Sequence, residues 1–336
     1  MSIDPYYARP EVALVTGPVE YGALRDEWID LWERTPEAGV FQRPEWLIPW
    51  WRHFGSGKVM RVVLIRCEGR LVGLLPLSIL RQPDNSRELQ LIGTGNTDRL
   101  DAIIDPAYRD TVVQAISHWL GSDIGDWDRC LFAQLPADSA LLRLQTSDSL
   151  VRTISPAEPC PVLQVTDHAA VGVHASPRRY AYYRRRAERE GARFIESSHA
   201  DFDRLLDGLF ALHAARWRER DQPGALADAA VQAFLRHACA ELRVAGMLRL
   251  IGLAHHDRLV GLYLAFSARG RCSAYIGGFD PEYNRLNPGT VLIGRLVEQT
   301  GNEGGVLDFL RGREPYKYDW GAADEELWTC TLTRRT

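Results

Sequence analysis

Arg70-Leu71-Val72-Gly73-Leu74 returns in the second half of the chain as Arg258-Leu259-Val260-Gly261-Leu262. Each copy follows an apolar run and a polar tip. The first is preceded by Val62-Val63-Leu64-Ile65 and Cys67-Glu68-Gly69, the second by Leu248-Arg249-Leu250-Ile251 and His255-His256-Asp257. Each then enters another apolar stretch, Leu75-Pro76-Leu77 or Tyr263-Leu264-Ala265. Two apolar runs about a short polar tip predict a β-hairpin. The same hairpin at a domain-sized offset predicts one fold present twice.

Around the first copy, apolar Leu24, Trp28, Leu31 and Trp32 predict a helix over 22–33. A second aromatic helix over 46–54, a strand over 89–93, a helix over 109–120, a strand over 129–134 and a short helix from 138 complete that half. Segment 151–176 carries Ser155-Pro156, Glu158-Pro159 and Pro161 and reads as a crossover. Beyond it lies a helix over 177–189, with Ser176 as N-cap and Pro177 in the first turn. Helices over 201–220 and 228–245 follow. Next come the second hairpin, a strand over 272–279, a helix over 290–301 and strands over 306–310 and 328–332. Helices covering a mixed, mainly antiparallel sheet in each half place the chain in the α/β (α+β) class. The expected halves are 1–155 and 156–336.

The chain has 336 residues, 46% hydrophobic and 25% charged, which is the composition of a globular protein of two ordinary domains. A net charge of −4 gives no global field toward nucleic acid or anionic lipid. Cys67, Cys130, Cys160, Cys239, Cys272 and Cys330 are scattered without a CxxC pair, which predicts buried free thiols in a reducing compartment. The start, Met1-Ser2-Ile3-Asp4-Pro5-Tyr6-Tyr7, lacks the pattern of a signal peptide, and no run of about 18 apolar residues predicts a membrane span. The expected location is the cytoplasm. Nine histidines show no HExxH and no ligand spacing, so no metal is expected.

Two segments stand out chemically. Asp308-Phe309-Leu310-Arg311-Gly312-Arg313-Glu314-Pro315-Tyr316-Lys317-Tyr318-Asp319-Trp320-Gly321 ends an apolar strand in a dense run of charged and aromatic residues, the setting in which scaffolds carry functional groups. Asn284-Arg285-Leu286-Asn287-Pro288-Gly289-Thr290 opens a helix, with Asn287 as N-cap, and free N–H groups there suit an anion such as a pyrophosphate. Arg178, Arg179, Arg184, Arg185, Arg186, Arg189 and Arg193 form a basic run, interleaved with Tyr180, Tyr182 and Tyr183. It reads either as a solvated helix face or as an anion site. Gly93-Thr94-Gly95-Asn96 superficially resembles a phosphate loop but lacks the Lys-Ser/Thr of a Walker sequence.

These residues carry a resemblance. Tyr275-Ile276-Gly277-Gly278-Phe279-Asp280, then Asn287-Pro288-Gly289-Thr290, then Asp308-Phe309-Leu310-Arg311-Gly312 with Tyr316-Lys317 and Trp320-Gly321 resemble the bacterial cellulose-biosynthesis CelD/BioF2-like acetyltransferase family of the GNAT superfamily. Phe41-Gln42-Arg43-Pro44-Glu45-Trp46 with Trp50-Trp51 resembles that family's amino-terminal signature. The resemblance spans most of 20–332 and extends to the Fem-type aminoacyltransferases, which carry two GNAT-like halves. It implies two tandem GNAT-like domains and an N-acyltransferase, first of all an N-acetyltransferase. Acetyl-CoA or another acyl-CoA would be co-substrate, and the acceptor an amine of a sugar, polysaccharide precursor or other metabolite. Arg285, Asn287, Gly289 and Thr290 would hold the donor phosphates. The superfamily loop Arg/Gln-x-x-Gly-x-Gly/Ala is reduced here to one glycine and a proline, which leaves a carrier protein or tRNA open as donor. Tyr316 or Tyr318 would protonate the leaving thiolate, Lys317 and Arg311 would act as fixed cations, and Asp308 or Asp280 would serve as base or orient the amine. Trp46, Trp50, Arg184, Trp217, Tyr275 and Asp280 would contact substrate. The second half would carry the donor and the first the acceptor side. Two alternatives stand beside this: a Fem-type aminoacyl-tRNA-dependent transferase using the Arg178–Arg193 helix, and a non-catalytic module in polysaccharide biosynthesis.

Overall fold

Both copies of the repeated pentapeptide close β-hairpins, and they match residue for residue. In the first, Ile65 pairs with Gly73 and Arg66 with Leu71, so Val72 is the extra residue of a β-bulge. In the second, Leu253 pairs with Gly261 and Ala254 with Leu259, which makes Val260 the extra residue. Both valines are fully buried. A bulge bends its strand and increases the local twist. The structure, a computed structural model, describes residues 9–122, 126–165, 175–196, 201–219 and 221–335. The reading of Met1–Tyr7 lies outside them.

The chain divides into two units, Met1–Glu158 with Glu326–Thr336, and Pro159–Glu325. The first contains β1 (Glu11–Val15), α1 (Pro18–Ala23), α2 (Arg25–Glu33), α3 (Pro44–Phe54), β2 (Lys58–Cys67), β3 (Arg70–Arg81), β4 (Arg87–Leu91), β5 (Ile103–Ile104), α4 (Arg109–Ser122), β6 (Arg129–Pro136) and β7 (Leu150–Pro156). The second contains β8 (Cys160–Gln164), α5 (Ala175–Arg189), β9 (Ala192–Glu196), α6 (Phe202–Arg218), α7 (Ala229–Val244), β10 (Leu248–His255), β11 (Arg258–Ala268), β12 (Arg271–Phe279), α8 (Pro288–Asn302), β13 (Val306–Asp308), α9 (Pro315–Asp319) and β14 (Ala323–Glu325). The last strand, β15 (Leu327–Arg334), belongs to the first unit. The two sheets run β1-β2-β3-β4-β6-β15-β7, with β5 on β3, and β9-β10-β11-β12-β13-β8-β14. In each, the parallel pair β4–β6 or β12–β13 follows the hairpin strands.

The glycine of the repeat has a packing reason. A Cβ at Gly73 would lie 2.6 Å from Val112 of α4, and one at Gly261 would lie 2.9 Å from Leu292 and 3.0 Å from Pro288 of α8. Each helix therefore crosses its hairpin at a position with no side chain. Gly261→Ala is expected to cost about 2 kcal/mol through overpacking. An unchanged melting temperature in that variant would contradict the close approach.

A second repeat becomes visible only in three dimensions. Asp105-Pro106-Ala107-Tyr108 precedes α4, and Asp280-Pro281-Glu282-Tyr283 precedes α8. In each case the Asp N–H donates to the carbonyl of the bulge valine at 2.9 Å. The Asp side chain in turn accepts from the N–H two residues on. Each Asp also meets an arginine, Asp105 with Arg34 and Asp280 with Arg258.

The structure differs from the sequence reading at identifiable points. Segment 151–176, read as a crossover, contains β7 and β8. The prolines stand at or near strand ends, where a missing N–H is tolerated. The final strand, expected in the second half, pairs between β6 and β7 of the first sheet. Helix 22–33 is two helices meeting at Leu24. Because α5 begins at Ala175, Ser176 lies in its first turn rather than at the cap.

One buried acid in the first unit makes stability depend on pH. The Asp101 carboxyl accepts from Ser139 Oγ and Ala102 N–H, both at 2.8 Å. The residue as a whole is only partly buried, but its carboxyl lies deep, and that burial pushes its pKa up to about 7. The native state thus holds a proton that the unfolded chain releases above about pH 4. Stability conferred at low pH is lost as pH rises toward 7. The melting temperature of the first unit is expected to fall between pH 5 and pH 8 in the native protein and to fall less in Asp101→Asn. Parallel curves for the two proteins would refute this assignment.

Candidate active site

The second sheet opens at the end of its parallel pair. β13 borders β12 only as far as Ser273, opposite Asp308, while β12 continues to Phe279. Just past that point β12 carries a bulge: Leu264 pairs with Ile276 and Ala265 with Ala274, so Tyr275 is the extra residue. Two glycines follow, facing opposite sides. A Cβ at Gly277 would lie 2.6 Å from the ring of Tyr263, its cross-strand partner, and one at Gly278 would lie 2.5 Å from the His213 backbone nitrogen in α6. One glycine therefore admits a tyrosine ring over the strand, and the other admits a helix backbone beneath it.

The loop after β13 is held from inside. Asp308 is fully buried, takes Arg271 Nη1 at 2.9 Å and accepts the Leu310 N–H at 2.9 Å. Leu310 stands at φ 58°, a left-handed conformation unusual outside glycine. Lys317, 2% exposed, donates to the carbonyls of Leu310 (3.1 Å), Arg311 (2.6 Å) and Gly312 (3.0 Å) and meets Glu314 at 2.9 Å. An ammonium has three protons, so these partners saturate it. Lys317 and Asp308, expected at the chemistry, thus shape the loop. Arg311 is partly buried within it. Tyr318 donates to Asp324 at 2.6 Å.

Tyr316 is the phenol this loop turns outward. It exposes 39% of its surface, while its hydroxyl end lies among protein atoms and hydrogen-bonds with Tyr263. Its ring meets Phe309 edge-on at 6.1 Å. Burial, with the Glu314 charge second, pushes the Tyr316 hydroxyl up to about 12. Burial holds Tyr263 well above the usual tyrosine value. Arg216 acts electrostatically on both phenols, and its guanidinium lies 4.4 Å over the Phe279 ring. His213, 2% exposed, has an Nδ1 with no hydrogen-bond partner among the described residues, and burial, followed by the Arg216 charge, lowers its pKa to about 4. It is therefore a neutral imidazole at pH 7. Trp217 lies 5.9 Å from it, ring to ring. Of the α6 residues, the sequence reading placed only Trp217 at substrate. It missed Tyr263, whose signal was its position opposite Gly277.

The start of α8 is the second component. Asn287 adopts φ 48° and accepts the Thr290 N–H at 3.4 Å. Pro288 has no N–H, and a Cβ at Gly289 would only touch Phe279 at 3.4 Å. Arg285, exposed, pairs with Glu190 at 3.2 Å. Asp280 is buried and committed to Arg258 and the Glu282 N–H. Arg184 pairs with Glu298 at 2.6 Å and stacks on Tyr180, joining α5 to α8. Asp280 and Arg184, expected at substrate, thus each hold partners within the fold.

The first unit is built differently at the matching place. β5 pairs with β3 where the end of β12 pairs with β11, but residues 92–102 leave the sheet between β4 and β5. Trp46 Nε1 donates to Thr97 Oγ1 at 2.9 Å and Trp50 Nε1 to Asn96 Oδ1 at 3.1 Å. Trp46 and Trp50, expected at substrate, are buried core residues that anchor the Gly93–Asn96 turn from within. Among the described residues, no cluster of His, Cys, Asp and Glu could hold a metal ion, and no helix is long and apolar enough to cross a membrane.

Residues 176–318 match the sequence family described as an acetyltransferase (GNAT) domain. No curated protein sequence matches the chain. Among solved structures the chain is similar to FemX, at 10% identity over 95% of this chain and 96% of that one, with a TM-score of 0.66. It is also similar to the C-terminal domain of a putative lysylphosphatidylglycerol synthetase from Agrobacterium fabrum (10% identity, 94% and 92% covered, TM-score 0.62). A third is the L-PGS structure from Bacillus licheniformis (10% identity, 91% and 90% covered, TM-score 0.58). At such identity these likenesses concern the fold. The matched domain in the second unit marks an acyltransferase, and the chain has the fold of these structures.

Proposed function

We propose that this acyltransferase moves an acyl group from acyl-CoA, first of all acetyl-CoA, to an amine, at the place where β12 and β13 part. The observation that carries this reading is that Tyr316, a phenol protonated at neutral pH, stands on the loop that leaves that parting. The α8 start, with the Gly289 N–H and the helix dipole, suits the donor phosphates. The thioester supplies an electrophilic carbonyl and a thiol leaving group. Tyr316 delivers a proton to the departing sulfur, while Asp308 and Lys317 hold the loop that presents it. Trp217 and Tyr275 border the acceptor, an amine of a sugar, polysaccharide precursor or other small metabolite, in keeping with the CelD-like resemblance. In the first unit the matching segment is folded into its own core, so the donor reading rests on the second unit alone.

Titration calorimetry with acetyl-CoA and CoA tests the donor, with one site per chain expected. Turnover with a panel of amino sugars and small primary amines, followed by mass spectrometry, tests the reaction. Tyr316→Phe is expected to lower kcat roughly 10²-fold at unchanged KM, the scale of a lost general acid. A folded protein that binds neither CoA nor acetyl-CoA would sink the proposal.

One observation favours a second donor. Of the α5 region arginines, Arg184 and Arg186 are ion-paired to Glu298 and Glu190, whereas Arg185, Arg189 and Arg193 have no carboxylate partner among the described residues. Aminoacyl-tRNA as donor requires steeply salt-dependent tRNA binding that weakens when Arg185, Arg189 and Arg193 become Glu. Equal tRNA binding by that variant rejects this reading.

A further inference from the structure

We infer that Tyr263 is a positioning residue for the general acid: its hydroxyl donates to the Tyr316 oxygen and turns the Tyr316 proton toward the parting of β12 and β13. This rests on the acyl-transfer reading above and extends it to a residue that no motif marks.

The geometry has three parts. Tyr263 sits on β11 directly opposite Gly277, and its ring lies over that position so closely that a Cβ there would fall 2.6 Å away. Gly277 thus creates the slot that aims Tyr263 along the end of β12. Tyr316 comes to the same spot from α9, with Phe309 against its ring and the saturated Lys317 fixing the loop before it. Arg216 lends a positive charge to both hydroxyls.

A phenol oxygen carries one proton and two lone pairs, so within a hydrogen-bonded pair one hydroxyl must be the donor. Tyr263 is held further from ionisation than Tyr316, and the contact works in opposite senses on the two: it raises Tyr263 and lowers Tyr316. Tyr263 therefore keeps its proton and donates. With one Tyr316 lone pair occupied, the Tyr316 proton points away from Tyr263. In the transfer the amine nitrogen forms a bond to the acyl carbon and the carbon–sulfur bond breaks. The sulfur then takes the Tyr316 proton. The resulting phenolate accepts from Tyr263 and faces the Arg216 charge. The surplus proton on the nitrogen returns through water to Tyr316, which restores the enzyme and balances the step.

Tyr263→Phe keeps the ring and removes only the donor. With acetyl-CoA and the amine panel, kcat is expected to fall about tenfold, the weight of one hydrogen bond, with KM unchanged. With S-phenyl thioacetate, whose more acidic thiol leaves without help, the variant should match the parent. Gly277→Ala, which forces the ring out of its slot, is expected to show the same pattern. Undiminished kcat in Tyr263→Phe, or equal slowing with both donors, overturns the inference. If Tyr316→Phe is slow and Tyr263→Phe is not, the inference falls while the acyl-transfer reading stands. If the parent protein neither binds CoA nor turns over any amine, both fall.

Discussion

Replacing Lys317 by methionine lowers the stability of the second unit by about 3–5 kcal/mol, the range for removing one partner from a buried charged contact. The side chains are similar in length, so the loss is chemical rather than steric. Three carbonyls, at Leu310, Arg311 and Gly312, lose their common donor, and Glu314 loses its ion partner. Two of those carbonyls belong to residues in the left-handed region, Leu310 at φ 58° and Gly312 at φ 107°. Without the ammonium, the strained path after β13 has little to hold it. Arginine does not rescue, because a planar fork cannot converge three donors on three carbonyls as an ammonium does. The expected melting temperature is about 10 °C lower for a unit of this size, with acyl-transfer activity falling further than in Tyr316→Phe. A Lys317→Met protein that melts like its parent and keeps its activity would show that the ammonium is not what shapes the loop.

How far this arrangement could be read from the chain depends on the range of the interactions. The repeated Arg-Leu-Val-Gly-Leu revealed two hairpins because turn, pattern and glycine are all local. It also marked the glycine that each helix crosses, although only packing explains why. The Asp-Pro-x-Tyr repeat was overlooked because its meaning lies in a bond from the Asp N–H to the bulge valine far away in sequence. The capped start of α8 was legible, since N-cap and proline preferences act within one turn. In the 308–321 segment the density of charge and aromatic residues singled out one loop. The role of each residue did not follow from it. Asp308, Lys317 and Tyr318 are taken up by partners of their own, and what distinguishes Tyr316 is the meeting of its hydroxyl with Tyr263 of a distant strand, which no spacing encodes. Trp46 and Trp50 read as a binding surface because aromatic residues serve cores and grooves alike. The difference lies in Thr97 and Asn96, which accept their indole protons.

The largest effect expected from the topology concerns the last strand. The second unit is one continuous stretch, Pro159–Glu325, containing all seven strands of its sheet, whereas the first is interrupted by it and completed only by β15. β15 lies between β6 and β7, and among the described residues β7 has no other strand neighbour. Its Leu327, Cys330 and Leu332 are buried. Losing the two leucines alone forfeits about 2 kcal/mol each, against a total stability on the order of 5–15 kcal/mol for a domain. The ladder to β6 and the whole pairing of β7 go with them. A chain ending at residue 325 is therefore expected to lose the cooperative transition of the first unit and keep that of the second. Residues 1–158 alone should not fold, residues 159–325 should, and 1–158 joined to 326–336 by a flexible linker should regain a cooperative melt by circular dichroism. The long loop that β15 closes raises contact order, so the first unit should also be the slower to refold in the full chain. A cooperative melt of 1–158 without the appended strand would mean that β15 is an accessory edge and not the strand on which the first sheet depends.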